Sequence, residues 1–394
     1  MSKINELIKE MCPNGVEYKL LKDVSEMKRG QSITTKNLKV GKIPVIAGGQ
    51  EPSFYNDKYN REDETITVSS SGAYAGFLNY WNEPILCTDS FSIKAKKLNM
   101  RYLYHYLKMK QNEIYNKKRG AGIPHVHISD LEKFKIPCPP LEVQGEIVRI
   151  LDKFGELEAE LEAELEARKS QYEFWSGKIF ESQMSGETKH ITDIALVKAR
   201  VGWQRLTKSE YLNAGDYYLI TGTDFTLDGE IDFNNCVYVT KERYEMDKNI
   251  QVHENDILIT KDGTLGKIAY LENEPDKLTT LNSGVFRIKI IDDNVLPRYI
   301  YHYFNSKIFK DFIAKVKTGS TIPHLTQEKL VGLNIPIPNI EEQKKIISIL
   351  NKFSDLTRSL SVGLPAEIKL RRKQYEYYRN KLLNFKVQSI YEEN

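Results

Sequence analysis

The feature that most constrains this chain is an internal repeat. Residues 120–154 align without a gap with residues 319–353, which lie 199 positions further on, and both blocks contain Ile-Pro-His, Ile-Pro-x-Pro and Glu-x-Gln. Upstream, RYLYHYL at 101–107 returns as RYIYHYF at 298–304. An internal repeat of this kind predicts that the same supersecondary unit is formed twice.

The segments that precede the two repeated blocks share little sequence. Residues 25–100 and 200–297 are nearly unrelated, apart from fragments such as GKIPVIAGG at 41–49 and GDYYLITGT at 215–223. Short strand-like runs such as Thr65–Ser69 alternate there with glycine-containing turns. The chain therefore alternates variable and constant segments, and we expect an α/β (mixed α+β) fold with two globular domains.

Each constant block begins with a proline-rich stretch that cannot be helix interior, followed by apolar residues at the three-four spacing of a coiled-coil seam. Gly363 and Pro365 predict a break in the second of these helices. Residues 142–184 carry 11 acidic and 5 basic side chains, whereas residues 341–394 carry 7 and 11, which favours packing of the two helices on each other. The predicted partner-helix seam comprises Ile147, Ile150, Phe154, Leu157, Leu161, Tyr172, Ile346, Ile349, Phe353, Leu356, Tyr375 and Tyr378.

Residues 156–167 are three tandem copies of Glu-Leu-Glu-Ala. One interpretation is simply a well-formed solvated helix, because these residues are strong helix formers. Another is a ruler, since each unit adds about 6 Å of helix. Both interpretations remain open from the sequence.

Basic residues beside glycine mark candidate nucleic-acid contacts. Residues 25–135 contain 18 Lys or Arg and 11 Asp or Glu, whereas residues 200–330 contain 17 and 19. A solvated face is an alternative interpretation of any such run, but Lys and Arg on loops can reach phosphates while Gln, Ser and Arg can read base edges. The candidate DNA-binding residues are Lys28, Arg29, Gln31, Lys36, Ser70, Ser71, Tyr74, Lys117, Lys118, Arg119, Lys261, Thr264, Lys315, Lys317, Thr318, Ser320 and Thr321.

Motifs for catalysis are missing from the sequence. No phosphate-binding loop or Gly-x-Gly-x-x-Gly motif occurs, and the four cysteines are widely spaced. His125 and His324 are repeat-equivalent and should fall in different domains, which argues against a metal site with His127. We therefore expect no catalytic residues, no metal and no cofactor in this chain. The charged N-terminus and the lack of a long apolar run lead us to expect a cytoplasmic protein without a membrane span.

The variable–constant alternation resembles the specificity subunit of type I restriction–modification enzymes. So do the phrases IPIPNIEEQKKIISILNKF at 335–353 and GLPAEIKLRRKQYEYYRNKLL at 363–383, and the tandem ELEA units. The resemblance covers essentially the whole chain. It implies a non-catalytic DNA-recognition subunit with two target-recognition domains, at residues 1–140 and 185–338. Spacer helices at 141–184 and 339–385 would form an antiparallel coiled coil, followed by a tail at 386–394.

The resemblance also implies partners. Each target-recognition domain would read one half of a bipartite, asymmetric site on double-stranded DNA. The spacer helices would dock two methyltransferase subunits, which use S-adenosylmethionine to methylate adenine N6 on a flipped-out base. Two restriction subunits, which are motor–nucleases, would use ATP and magnesium. The ELEA count would set the spacer length between the half-sites.

Two alternatives from other functional classes remain. A nuclease or fused methyltransferase would need a catalytic cluster that the sequence does not display. A coiled-coil scaffold without DNA readout would explain the helices, but it would leave the two dissimilar domains at repeated positions without a role. The salt dependence of duplex binding separates a DNA reader from a scaffold, because contacts with phosphates weaken steeply as salt rises.

Overall fold

The computed structural model describes residues 2–33, 40–120, 122–201, 206–226, 228–317, 324–359 and 362–388. Within these ranges the α-helices are α1 Ser2–Met11, α2 Leu21–Val24, α3 Met100–Met109, α4 Gln111–Tyr115, α5 Ile128–Leu131, α6 Leu141–Gln183, α7 Ile191–Ile194, α8 Lys241–Glu245, α9 Pro297–Asn305, α10 Lys307–Val316, α11 Gln327–Val331, α12 Ile340–Arg358 and α13 Leu364–Leu383. The strands are β1 Tyr18–Leu20, β2 Ser25–Arg29, β3 Ile43–Ile46, β4 Phe54–Asn56, β5 Thr65–Ser69, β6 Leu78–Trp81, β7 Leu86–Cys87, β8 Ser90–Ala95, β9 Lys135–Pro137, β10 Thr188–His190, β11 Ala195–Ala199, β12 Tyr217–Ile220, β13 Val237–Tyr238, β14 Gln251–Val252, β15 Ile257–Thr260, β16 Ile268–Tyr270, β17 Leu278–Leu281, β18 Val285–Ile290 and β19 Asn334–Pro336.

The chain divides into two compact units. Unit 1 comprises residues 1–159 together with 370–394, and unit 2 comprises residues 160–369. Helix α6 begins in unit 1 and ends in unit 2, and the division falls inside the tandem ELEA segment. The mixed α/β fold predicted from the sequence is confirmed, and strand β5 coincides with the predicted strand at Thr65–Ser69.

Unit 1 is built on two sheets. One is antiparallel with strand order β2-β8-β5-β6, and the other has the order β4-β3-β7, in which β3 and β7 run parallel. All five residues of the central strand β5 are buried, which shows that both faces of the sheet are covered there, since successive side chains point to opposite faces. Ile66 and Val68 of β5 share a fully buried cluster with Leu103 and Leu107 of α3. The core therefore fixes the end of β5, where a glycine-containing loop begins.

Unit 2 repeats this plan despite its dissimilar sequence. Its two sheets have the orders β11-β18-β15-β16 and β13-β12-β17-β14, and β12 runs parallel to β17 as β3 does to β7. Strands β3 and β12 carry the two look-alike fragments at 41–49 and 215–223, so that likeness marks equivalent strands. The variable segments thus keep the framework and change the surface.

A short two-stranded sheet lies next to the start of the spacer helix in each unit. Strand β9 pairs with β1 in unit 1, and β19 pairs with β10 in unit 2. The proline-rich stretches are therefore extended, as predicted. The Tyr102 hydroxyl donates to the Pro137 carbonyl at 3.1 Å, and Tyr299 repeats the bond to Pro336 at 2.8 Å.

The spacer helices pack antiparallel inside each unit. In unit 1, the ring of Phe154 on α6 stacks on Tyr378 of α13 at 5.4 Å, and Glu158, one turn later, pairs with Arg372. In unit 2, Tyr172 of α6 lies 6.4 Å from Phe353 of α12, measured between ring centroids. The long first helix is confirmed at 43 residues.

The second helical segment is interrupted, as Gly363 and Pro365 predicted. Helix α12 ends at Arg358 and α13 begins at Leu364. A Cβ atom at Gly363 would lie 2.3 Å from the Asp355 carbonyl oxygen, so no larger residue fits this close approach.

The structure corrects the predicted seam at two positions. Ile349 and Leu356 are 47% and 37% exposed, whereas Leu350 is fully buried. Ile147 and Tyr172 are buried as the seam requires, and so is Ile346; Ile150, Phe154, Leu157, Leu161, Phe353, Tyr375 and Tyr378 are half-buried. The helical period alone could not choose between the adjacent Ile349 and Leu350, because either one continues an apolar stripe.

Candidate nucleic-acid interface

In unit 1 the candidate surface is centred on the loop between β5 and β6. Gly72 and Gly76 adopt positive φ angles of 82° and 84°, which a residue with a Cβ rarely adopts. The amide of Gly76 donates to the carbonyl of Ser69 at 2.8 Å and closes the loop. Ser70 and Ser71 are half-buried, whereas Tyr74 is 46% exposed.

A second loop, residues 117–127, lies against this hairpin. The amide of Val126 donates to Ser70 at 3.0 Å, and His125 forms a β-bridge with Ser71. The Lys118 ammonium donates to the carbonyl of Ala73 at 3.1 Å. The structure therefore brings together Ser70, Ser71 and Tyr74 with Lys117, Lys118 and Arg119, as two neighbouring loops.

Arg119 has a structural role in addition to its exposure. Its guanidinium pairs with the carboxylate of Asp130, whose side chain is buried. The other carboxylate oxygen of Asp130 accepts from the His127 amide at 2.9 Å, at the start of α5. This ion pair holds the loop at 117–127 to the unit, which the sequence did not indicate.

Lys28, Arg29 and Gln31 lie at the end of β2. The Lys28 ammonium lies 2.9 Å from a carboxylate oxygen of Glu26, and both side chains are exposed. The backbone amide of Gln31 donates to the carbonyl of Cys87 at 3.0 Å. The turn after Cys87 carries Asp89, whose carboxylate accepts a hydrogen bond from the Ser71 hydroxyl. The β7–β8 turn thus connects these residues with the hairpin loop. Lys36 lies outside the described residues.

Unit 2 carries an equivalent pair of loops. The amide of Leu325 donates to Lys261 at 3.0 Å, as Val126 does to Ser70, and Asp262 forms a β-bridge with His324, as Ser71 does with His125. Gly263 and Gly266 adopt φ angles of 69° and 78°. The exposed Thr264 therefore occupies the place in unit 2 that the Ser71–Tyr74 stretch occupies in unit 1.

Two further candidates lie at the end of α10 in unit 2. Lys315 is in the last turn of this helix and Lys317 is its C-terminal cap residue, and both side chains are exposed. Thr318, Ser320 and Thr321 lie outside the described residues. Lys317 directly follows α10, and Lys117 lies two residues after the end of α4.

The sequence missed a third loop at this surface. The Ser69 hydroxyl donates to Gly49 at 3.4 Å, and the Asn79 side-chain amide donates to Gln50 at 2.8 Å. In unit 2, a Cβ on Gly222 would lie 3.6 Å from the methyl group of Thr260. The signal for this loop was present in the sequence, because the look-alike fragments at 41–49 and 215–223 end in it.

A repeated polar joint fixes each domain to its spacer helix. The side chain of Gln144 on α6 accepts from the backbone amide of Asn99 at 2.8 Å and donates to the carbonyl of Pro139 at 2.7 Å. In unit 2, Gln343 on α12 accepts from Leu296 at 2.9 Å and donates to Pro338 at 2.8 Å. Both glutamines are essentially fully buried.

The joint differs in charge between the units. In unit 1, Asp152 on α6 accepts from Arg101 at 2.9 Å and from His105 at 2.7 Å. Burial by itself would raise the pKa of Asp152, but the hydrogen bond from His105 and the charge of Arg101 outweigh it and lower the pKa. The neutral Asn351 occupies this place in unit 2, where it contacts Arg298 and His302.

Burial lowers the pKa of His302 to about 3, so this imidazole is neutral at physiological pH. Its Nδ1 atom has no hydrogen-bond partner in the described part of the chain, and neither does the buried hydroxyl of Tyr172. In unit 1 the equivalent atoms, Nδ1 of His105 and the hydroxyl of Tyr375, lie 3.1 Å apart.

The described residues contain no group of three or more His, Cys, Asp or Glu side chains placed to hold a metal ion. His125 and His324 fall in different units, as the repeat predicted. Among the described helices, none is long and apolar enough to cross a membrane.

The chain was compared with known proteins. The family model described as type I restriction modification DNA specificity domain matches residues 13–167 and again 186–370. A putative type I restriction enzyme specificity subunit from Haemophilus influenzae is 33% identical over 389 residues, covering 94% of this chain and 96% of the relative. The EcoR124I/EcoR124II specificity subunit from Escherichia coli is 34% identical, covering 85% of this chain and 91% of the relative.

Solved structures share the fold. The S subunit of a type I restriction-modification system from M. genitalium superposes with a TM-score of 0.56 at 18% identity, covering 94% of this chain and 96% of that chain. The two family-model matches occupy more than half of the chain, and each contains one of the repeated blocks at 120–154 and 319–353. The protein therefore belongs to the non-catalytic specificity subunits of type I restriction–modification enzymes.

Proposed function

We propose that this chain reads a bipartite, asymmetric DNA site, with one half-site bound by each of its two variable domains. The observation that carries the proposal is the pair of equivalent loop surfaces at Ser70–Tyr74 and Lys261–Thr264. The backbone contacts of the two loops are the same, while the side chains differ. A protein that reads two different short sequences needs a repeated framework with a different contact surface on each copy.

The target-recognition domains would comprise residues 1–140 and 185–338, joined by spacer helices at 141–184 and 339–385 and followed by a tail at 386–394. Lysines at the loop ends, Lys117 and Lys118 in unit 1 and Lys315 and Lys317 in unit 2, would contact phosphates and orient each domain. Neighbouring polar side chains such as Gln31, Tyr74 and Thr264 would then read base edges in the major groove.

Two methyltransferase subunits would dock on the spacer helices. Exposed aromatic side chains support this part of the proposal: Phe174 on α6 is 56% exposed and its repeat equivalent, Tyr377 on α13, is 60% exposed. Each contacts the next ring edge-on, Trp175 at 5.3 Å and Tyr378 at 5.2 Å between centroids. Large exposed aromatic residues are common anchors of protein interfaces, and a repeated pair fits two identical partners.

S-adenosylmethionine, ATP and magnesium would be bound by the methyltransferase and restriction subunits and not by this chain. The assembled complex would methylate adenine N6 and cleave DNA in the cytoplasm, while this chain supplies the choice of sequence. Its binding to duplex DNA should weaken steeply with salt, because phosphate contacts release counterions.

The test is adenine-methylation mapping in cells that express the chain with its cognate methyltransferase. The control lacks only this chain. We expect a methylated motif of two different short half-sites at a fixed spacing, lost in the control. Methylation that persists unchanged in the control would refute the specificity role, and partner pull-downs would then test a scaffold without DNA readout.

A further inference from the structure

A lysine-lined cavity in unit 1 lies beside the proposed DNA surface. The volume of this lysine cavity is about 520 Å³, and its cationic lining consists of Lys110, Lys117, Lys133 and Lys135. Lys117 belongs to the loop that packs against the β5–β6 hairpin, so this cavity adjoins the surface that would read the first half-site.

The walls of the lysine cavity are held by hydrogen bonds. The hydroxyl of Tyr106 donates to the carbonyl of Lys135 at 2.9 Å. The hydroxyl of Tyr18 donates to the carbonyl of Phe385, also at 2.9 Å. The segment after α13 is itself fixed, because the amide of Val16 donates to Lys386 at 2.9 Å. These contacts fix the backbone of β9 and of the segment after α13, which form two walls of the cavity.

The charge of the lysine cavity is not balanced by its own carboxylates. Of the two that line it, Glu113 pairs with Lys110 at 2.6 Å and Asp130 pairs with Arg119. Within the described residues, no ion pair within 4.0 Å involves the other three lysines, Lys117, Lys133 and Lys135, and all three are exposed. Three unpaired positive charges therefore surround one opening.

Unit 2 lacks two of these lysines. The register of β19 on β10 places Asn334 where β9 on β1 places Lys135, and the repeat places Gly332 where Lys133 lies. Both lysines fall in a part of the repeated block where the two copies differ, since Asp130 of unit 1 also aligns with Lys329 of unit 2. Strand β19 pairs with β10 without these lysines, so the equivalent pairing of β9 with β1 does not require Lys133 or Lys135.

We propose that the lysine cavity binds backbone phosphates of duplex DNA that continues beyond the first half-site, through Lys133 and Lys135. This inference rests on the proposed function. The ligand chemistry follows from the lysines, which are point charges on flexible stems and suit a polyanion that passes over them. Continuity with Lys117 places the cavity along the path of DNA bound at the unit 1 loops.

The experiment uses the full chain in complex with its methyltransferase partner and a duplex that contains the methylated site. Fluorescence anisotropy gives Kd as a function of KCl for Lys133→Gln/Lys135→Gln. The matched control is Lys22→Gln/Lys97→Gln, which removes the same charge from two other exposed lysines of unit 1. We expect the salt slope of the cavity variant to fall by about 1 to 2, because each lost phosphate contact removes about 0.9 from it.

At about 0.15 M salt the affinity of the cavity variant should fall roughly threefold to tenfold. The methylated motif should stay the same, since phosphate contacts carry no sequence information. A duplex shortened on the side of the first half-site should abolish the difference between the variant and the wild type, whereas shortening on the other side should leave it.

A salt slope equal to that of the control variant would overturn the inference. So would weaker assembly with the methyltransferase at an unchanged slope, because the lysines would then contact protein. Neither result would touch the proposed function, provided that the wild-type complex still prefers its site. Loss of that preference in the wild type would instead refute the proposed function itself.

Discussion

Nε2 of His105 lies 2.7 Å from Oδ1 of Asp152, at a place where the repeat puts the neutral Asn351 against His302. The same joint between domain and spacer helix is thus ionic in unit 1 and neutral in unit 2. Because the lowered pKa of Asp152 reflects stabilisation of its charged form, this carboxylate contributes to the stability of unit 1.

Substitution of Asp152 by Asn should loosen the unit 1 joint. A hydrogen bond to a charged group contributes about 1.5 to 3 kcal/mol, so we expect a loss of that order at pH 7 in the local opening free energy of α3. A lowered pKa gives stability that is present above the ordinary carboxyl pKa, about 4, and is lost as pH falls through the folded value. Hydrogen exchange of α3 peptides should therefore be faster in the Asp152→Asn variant than in the wild type at pH 7, and the two rates should converge in acid.

Unit 2 should depend on pH through His302. Its folded pKa of about 3 lies below the ordinary histidine value of about 6.5, so the unfolded chain binds a proton that the folded unit does not. Stability should fall as pH drops from about 6.5 towards 3, by about 2 kcal/mol at pH 5.

Urea unfolding of wild type and His302→Gln between pH 7 and 5 measures the His302 effect. The substitution should remove the added pH dependence, whereas His125→Gln, which changes an exposed histidine, should keep it. Equal pH profiles for wild type and His302→Gln would contradict the assignment.

Gln144→Ala and Gln343→Ala should each destabilise the chain by about 2 kcal/mol or more, because truncation leaves a buried amide and a buried carbonyl without partners. The cost at Gln343 should be at least as large as that at Gln144, since the Gln343 side chain also donates to the carbonyl of Asn294 at 2.9 Å. Gln374→Ala provides the control, because Gln374 is exposed on α13. Denaturant unfolding of the three variants measures the difference, and a loss as small as that of the control would rule out this role.

The polar joints between each domain and its spacer helix could be predicted as repeated elements, because the segments that form them belong to the internal repeat. Gln144 and Gln343 are 199 positions apart, like the blocks that contain them. The equivalence of the loops at Ser70 and Lys261 was not visible, because the two loops differ in sequence and lie at another offset. The backbone bonds to Val126 and Leu325, and the β-bridges beside them, reveal it.

Contacts between distant segments were also beyond the sequence. The ion pair of Arg119 with Asp130 and the wall that Phe385 gives the lysine cavity depend on how separate elements pack, which periodicity does not encode. The exposure of Ile349 belongs to the same class. Local patterns fix helices and turns, whereas the choice among equally apolar positions is made by tertiary packing.

Each loop should control its own half-site. Tyr74→Ala in unit 1 should relax the choice of one or two base pairs in one half-site, by about 1 to 3 kcal/mol per contact, and leave the other half-site intact. Thr264→Val in unit 2 should relax the choice of base pairs in the other half-site and leave the half-site read by unit 1 intact. Methylation mapping of both variants reads out the motif, with Ser185→Ala, an exposed position outside both loops, as the control. Changes in both half-sites from one substitution would show that the loops do not read independently.

Deletion of one ELEA unit, residues 160–163, should shorten the unspecific spacer between the half-sites. Helix α6 is continuous through this segment, so the deletion removes about 6 Å of helix, against about 3.4 Å per base pair of DNA. The spacer should therefore shorten by no more than about two base pairs, while both half-sites keep their sequence, because no residue of the loop surfaces is altered. Methylation mapping of the deletion variant and of a variant with an extra ELEA unit gives the two spacer lengths. If the spacer stayed the same in both, or if the half-site sequences changed, the ELEA segment would be a solvated stretch of helix and not a ruler.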